Sequence, residues 1–159
     1  METHNPFYVL GAVIAIIFMI VMLISVLILI ISYWMIYDKA GQPGWAILIP
    51  VYSLIVLFKI VGRPWSWLFW YLQLFPFYIL MFLYPSEITA LLLFLSGVAS
   101  LVFAVITTNS LSKSFGKNAG FTVGLLLLPI VFYPILAFGN AKYIGPGGVA
   151  PGEDDDVLL

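Results

Sequence analysis

The sequence runs to 159 residues, 64% of them hydrophobic and 8% charged, with a formal net charge of −1. A soluble domain carries about 25% charged residues, and a chain this short cannot hide so much apolar surface in one core; its solvent is lipid, and a separate soluble module is excluded. With no cysteine and with His4 as the single histidine, disulfides, thiolate metal sites, a cysteine nucleophile and a multi-histidine metal centre are excluded as well.

The first element is an apolar run over residues 7–36, interrupted by Gly11, Ser25 and Ser32. As a helix it reaches about 45 Å against a hydrocarbon core of about 30 Å, so it spans with tilt or protrudes. It does not read as a secretory signal, because Glu2 and His4 stand where positive charge belongs and the run is far too long. Tyr33, Trp34 and Tyr37 mark its second end as interfacial. The turn DKAGQPG then leads into residues 46–61, about 24 Å of helix and short of a span. Trp45, Tyr52 and Lys59 recur at seven-residue spacing with Ser53 beside them, a thin polar stripe that predicts a short interfacial or re-entrant helix.

Residues 65–84 form the second predicted span, opened by Trp65, Trp67 and Trp70 and kinked by Pro76. After the Pro85–Glu87 turn, residues 88–108 form the third. Residues 109–118 read as a polar loop with Lys113 and Lys117. The fourth span covers 121–138, with Pro129 and Pro134 inside it. From residue 139 the composition, including GPGGVAPGEDDD, predicts a flexible acidic tail over 139–159. The fold class is thus an all-α membrane protein, four transmembrane helices plus one short interfacial or re-entrant helix in a helical domain over 1–138.

Four spans place residues 38–64 and 109–120 on one side. That side holds Lys39, Lys59, Arg63, Lys113 and Lys117, five of the six basic residues. The positive-inside rule makes it cytoplasmic and puts both termini outside, with Lys142 alone there. Lys39, Trp45, Lys59, Arg63, Lys113 and Lys117 are then expected among lipid headgroups. Within the spans, Gln73 is expected to hydrogen-bond Ser96 or Ser100, since an amide facing lipid stays unsatisfied. Ser96, Ser100 and Ala104, at four-residue spacing beside Gly97 and Ala99, let helices approach closely; bundle packing is the plain reading and a dimer interface the sharper one.

No HExxH, no phosphate-binding GK[ST] loop and no carboxylate pair within a span occurs. The EDDD run is a solvated charge run, not a preorganised cation site. No catalytic, cofactor-binding or metal residue is assigned. The stretches DKAGQPGWAILIPVYSL, FKIVGRPWSW, SKSFGKNAGFTVGLLLLPIVFYPILAFG and KYIGP together resemble a family of small bacterial membrane proteins of unknown function. Gly41, Pro43, Gly44, Trp45, Pro50, Tyr52, Gly62, Pro64, Trp65, Phe115, Gly116, Lys117 and Tyr143 are in step with its pattern, and Ser53 departs from an expected asparagine. The resemblance covers residues 30–146. It implies a multi-span protein of a bacterial inner membrane, sometimes associated with type I signal peptidases, and implies no activity. Peptidase chemistry does not transfer: Ser53 and Lys59 are out of register on a helix, and adjacent Ser112 and Lys113 face different ways.

The expected function is a non-catalytic structural or accessory component whose partners are the bilayer and other membrane proteins or a second copy, not nucleic acid. The alternative is a small transporter or channel. A weaker one is a signal-peptidase-associated or lipid-acting enzyme using Asp38, Lys39, Lys59 and Arg63.

Overall fold

The computed structural model describes residues 6–149; His4 and the EDDD run lie outside them. Among the described residues every regular element is helical. Three helices are long and apolar enough to cross a membrane: Pro6–Lys39, Trp65–Leu83 and Glu87–Ser114. We number the helices α1 (Pro6–Lys39), α2 (Pro50–Val61), α3 (Leu68–Leu72), α4 (Leu74–Leu83), α5 (Glu87–Ser114), α6 (Ala119–Leu127) and α7 (Pro129–Phe138).

Helix α1 ends because Gly41 takes up φ +67°, which only glycine reaches without strain. The amide of Gln42 then bonds back to the Tyr37 carbonyl and that of Gly41 to Asp38, closing the helix end. The Gly44–Leu48 3-10 turn follows, then α2, which starts with Pro50 in its first turn, where a missing N–H costs least. Helix α2 lies across one end of the bundle. Ser53 meets Tyr37 of α1, Phe58 meets Tyr71 of α3, and Ile60 meets Ser114 at the end of α5.

The second span is interrupted at Gln73 rather than kinked at Pro76 itself. Proline has no N–H to give, so Pro76 sits in the first turn of α4 and the joint falls one turn earlier. Helix α5 begins with Ser86 and Thr89 reciprocally capping its first amides, and Glu87 complements the positive end of the helix. It continues six residues beyond the predicted 108, so most of the expected polar loop is helix. Ser110, Ser112 and Ser114 are buried in its last turns.

The run expected as a fourth span over 121–138 is two short helices. Leu128 leaves helical geometry with φ −132° and ψ 60°, as a residue before proline tends to do, and Pro129 starts a new helix. In one straight helix Phe121 and Phe132 would stand about 16 Å apart; here their rings meet with centroids 5.2 Å apart. Helix α6 runs back along α5: Ser112 Oγ donates to the Asn118 carbonyl and Thr122 Oγ1 to Asn109 Oδ1. Helix α7 runs beside α1 in the same direction, with Tyr133 on Tyr33 at 4.6 Å and, six residues on, Gly139 at Lys39. The two form a hairpin wedged between α1 and α5 that starts and finishes at the same end of the bundle.

Two further expectations change with it. Residues 139–149 return to the end where α1, α2 and α5 finish, and Pro6 stands at the opposite end of the 34-residue α1, about 50 Å of helix away. The described ends of the chain therefore do not share a side of the bundle. Nor is the segment from 139 to 149 a loose tail: it packs on α2 and α5. The reason is that its backbone finds partners, with the Ile144 amide donating to the Ser114 carbonyl and the Gly147 amide to Ser114 Oγ. The remainder of the predicted tail, 150–159, lies outside the described residues.

Candidate functional site at the basic end of the bundle

Helices α1, α2, α5 and α7 all direct their C-termini to one end of the molecule, and each C-terminus carries partial negative charge. Basic side chains collect there: Lys39, Lys59 and Lys113 occupy the last turns of α1, α2 and α5. Arg63 and Lys117 follow the positive-φ glycines Gly62 and Gly116, which close α2 and α5 as Gly41 closes α1. Lys142, expected alone at the far side, lies at this end too, lining a cavity with Lys39.

Lys39, Arg63, Lys117 and Asp38 each have a local partner. Lys39 Nζ donates to the carbonyls of Leu136 and Gly139 at 3.0 and 2.7 Å, capping α7. Arg63 donates to Ser110 Oγ at 3.2 Å and stacks over the Trp67 ring at 4.8 Å. Lys117 lies 5.7 Å from the Phe121 ring centroid. Lys59 and Lys113 are exposed. Asp38 Oδ1 accepts from the Gly44 amide at 3.0 Å. Asp38, Lys39 and Arg63 thus work at separate junctions, and Lys59 shares none of them. Trp45 is half exposed and stacked on Tyr52 at 5.4 Å. A concavity of about 500 Å³ among these charges is bounded by Lys39, Asn140, Lys142 and Tyr143.

Behind this face lies a belt of hydroxyls. Tyr37 bonds Ser53 at 2.9 Å, Tyr71 donates to Thr107 Oγ1 at 2.9 Å, and Ser114 Oγ donates to the Ser110 carbonyl. Tyr143 donates to the Ile60 carbonyl at 2.9 Å, and burial pushes its phenol above the ordinary value. These bonds tie the 143–148 strap, α2 and the end of α5 into one knot. The sequence reading missed it by taking 109–118 as a loop. The available signal was Thr107, Ser110, Leu111 and Ser114, whose spacing of three, one and three residues puts them on one helical face.

The mid-span residues fall differently from expectation. Ser100 Oγ donates to the Trp70 carbonyl at 2.9 Å and Ser96 Oγ to its own helix at Leu93. Both are buried and Ala104 is half buried. Gln73 bonds neither serine, and its Nε2 is buried without a partner.

A family model described as a family of unknown function (DUF5684) matches residues 45–146. That range begins just after the DKAGQPG turn and ends within the docked strap, so it takes in the whole basic end except the close of α1. No curated protein and no solved structure matches the chain.

Proposed function

We propose, from the premise that this chain belongs to that family of unknown function, that it is an integral membrane protein serving as a non-catalytic accessory component for other membrane proteins. Helix α1, the joined α3–α4 pair and α5 cross the bilayer. The α6–α7 hairpin enters from the basic side and returns to it; each arm is about 14 Å long, half the hydrocarbon core. All six Lys and Arg residues then occupy one face, and the positive-inside rule makes that face cytoplasmic. The Gly44–Leu48 turn and helix α2 lie in its interface, with Trp45 and Leu48 of the turn, Ile49 between the two, and Val51 and Ile55 of the helix outward.

One observation carries the accessory role. The last third of α1 is packed on α7, but Phe7 to Leu27 are exposed around the helix apart from half-buried Ser25. A bundle that served only itself would pack that length against its own helices. An arm standing clear of the body offers a whole helix surface to a partner in the bilayer; a signal peptidase is one enzyme such an arm could serve. The transporter alternative asks for a continuous polar path through mid-membrane; Gln73, Ser96 and Ser100 stand there, but the groove beside Gln73 is otherwise apolar and both hydroxyls donate to backbone carbonyls.

The test is affinity purification in a gentle detergent from native membranes. Replacing residues 7–24 with leucines keeps a span but removes its shape. We expect specific membrane proteins to co-purify with the wild type and to be lost from the leucine variant, with both chains equally inserted. An unchanged set of partners would remove α1 as the docking arm; no partner in either sample would sink the accessory reading.

A further inference from the structure

Gln73 lies at the joint of α3 and α4, and its buried Nε2 has no hydrogen-bond partner. The residue lines an apolar groove of about 620 Å³ walled by Phe69, Trp70, Leu72, Phe75 and Pro76. Phe69 and Phe75 are 67% and 70% exposed, so the groove opens away from the bundle. Its depth follows from the neighbouring helix. Ser100, bonded to the Trp70 carbonyl, stands near the middle of the 28-residue α5, and Gln73 is one turn beyond Trp70. In the membrane reading the amide therefore sits close to the bilayer centre. There an unsatisfied polar group is costly, and phospholipid ester oxygens lie roughly 15 Å away, at the edge of the hydrocarbon. A lipid tail filling the groove leaves the amide unpaired; another protein helix need not.

We propose that this groove is the interface of a parallel homodimer in which the Gln73 amides of two copies pair. Two copies inserted in the same orientation are related by a twofold axis along the membrane normal, which sets every residue beside its own counterpart at the same depth. A primary amide both donates and accepts, so two such groups can close a pair of N–H···O bonds. Turning the end of Gln73 into the groove exchanges an unpaired donor for a paired one, and interhelical bonds of this kind hold helices together in lipid. The inference rests on the membrane reading above and names one partner within it, a second copy of this chain.

The natural chain has no cysteine, so single thiols report cleanly. Leu72→Cys puts one on the groove wall, and Leu23→Cys puts one on exposed α1 as a control. After oxidation in isolated membranes, Leu72→Cys is expected to give a disulfide dimer of twice the chain mass, about fivefold more than Leu23→Cys. Adding Gln73→Leu to Leu72→Cys is expected to lower the yield about fivefold, and Gln73→Asn to lower it less. Carbonate washing of the same membranes separates the two ideas. A chain released by carbonate overturns the membrane reading and the dimer with it. A chain retained in the membrane that gives no dimer above the control, that links instead to a different protein, or that dimerises equally with Gln73→Leu overturns the proposal alone.

Discussion

Gly44 shows how one residue fixes the corner between α1 and α2. A Cβ there would stand 2.3 Å from Trp34 Cδ1 and 2.7 Å from Asp38 Oδ1, the oxygen that accepts the Gly44 amide. Gly41, three residues earlier, has open space around its Cβ position but a φ of +67°. The two glycines are thus required for different reasons, one for room and one for conformation. Gly44→Ala should destabilise the protein by about 1–3 kcal/mol through overpacking, and Gly41→Ala by about 1 kcal/mol through backbone strain alone. Thermal unfolding in detergent checks both. Pairing each with Trp34→Ala discriminates further, since removing the indole should rescue Gly44→Ala in part, the Asp38 contact remaining, and leave Gly41→Ala unchanged. The sequence announced this corner, because a glycine-rich turn with Pro43 after an apolar run reads as a helix stop. It could not announce which side chain Gly44 faces, since Trp34 comes over it only once the chain has turned back.

At the scale of elements, the α6–α7 hairpin departs furthest from expectation. Hydropathy over 121–138 is uniform, and two prolines in an apolar run permit either a kinked span or a break. Tertiary partners decide between them. Lys39 supplies donors to the carbonyls at the end of α7, and Gly124 leaves space for the Phe132 ring, which a Cβ at 124 would meet at 2.3 Å. These groups come from α1 and from the opposite arm, so no local window contains the information. A Phe121→Cys/Phe132→Cys variant tests the fold of this element. A short thiol-to-thiol linker should join the two within one chain, because the native rings touch. A straight helix would hold the positions about 16 Å apart and give no intramolecular product.

For the whole molecule, the hairpin reverses the address of the C-terminal segment. Counting four spans puts Lys142 outside, the one basic residue out of place; returning the chain at Leu128 brings it to the same end as the other five. A fluorescent protein that matures only in the cytoplasm, fused after Leu159, should therefore be bright, and a phosphatase active only outside should be silent there. Fused before Met1, the pair should behave in the opposite way. A silent cytoplasmic reporter at the C-terminus would restore the fourth span and remove the re-entrant hairpin.

By itself the sequence determined the solvent of the protein, the three long helices, the turns that end them and the gathering of positive charge, because each of these depends on composition or on neighbours within a few residues. Only the tertiary structure decided that the last apolar run breaks at Leu128 into a hairpin, that 139–149 docks, and that Gln73 finds neither serine. The first two outcomes turn on groups distant in sequence: the carbonyls of Leu136 and Gly139 meet Lys39, and Ser114 Oγ meets the Gly147 amide. No local window of sequence contains such pairings: the carbonyls that Lys39 meets lie 97 and 100 residues away.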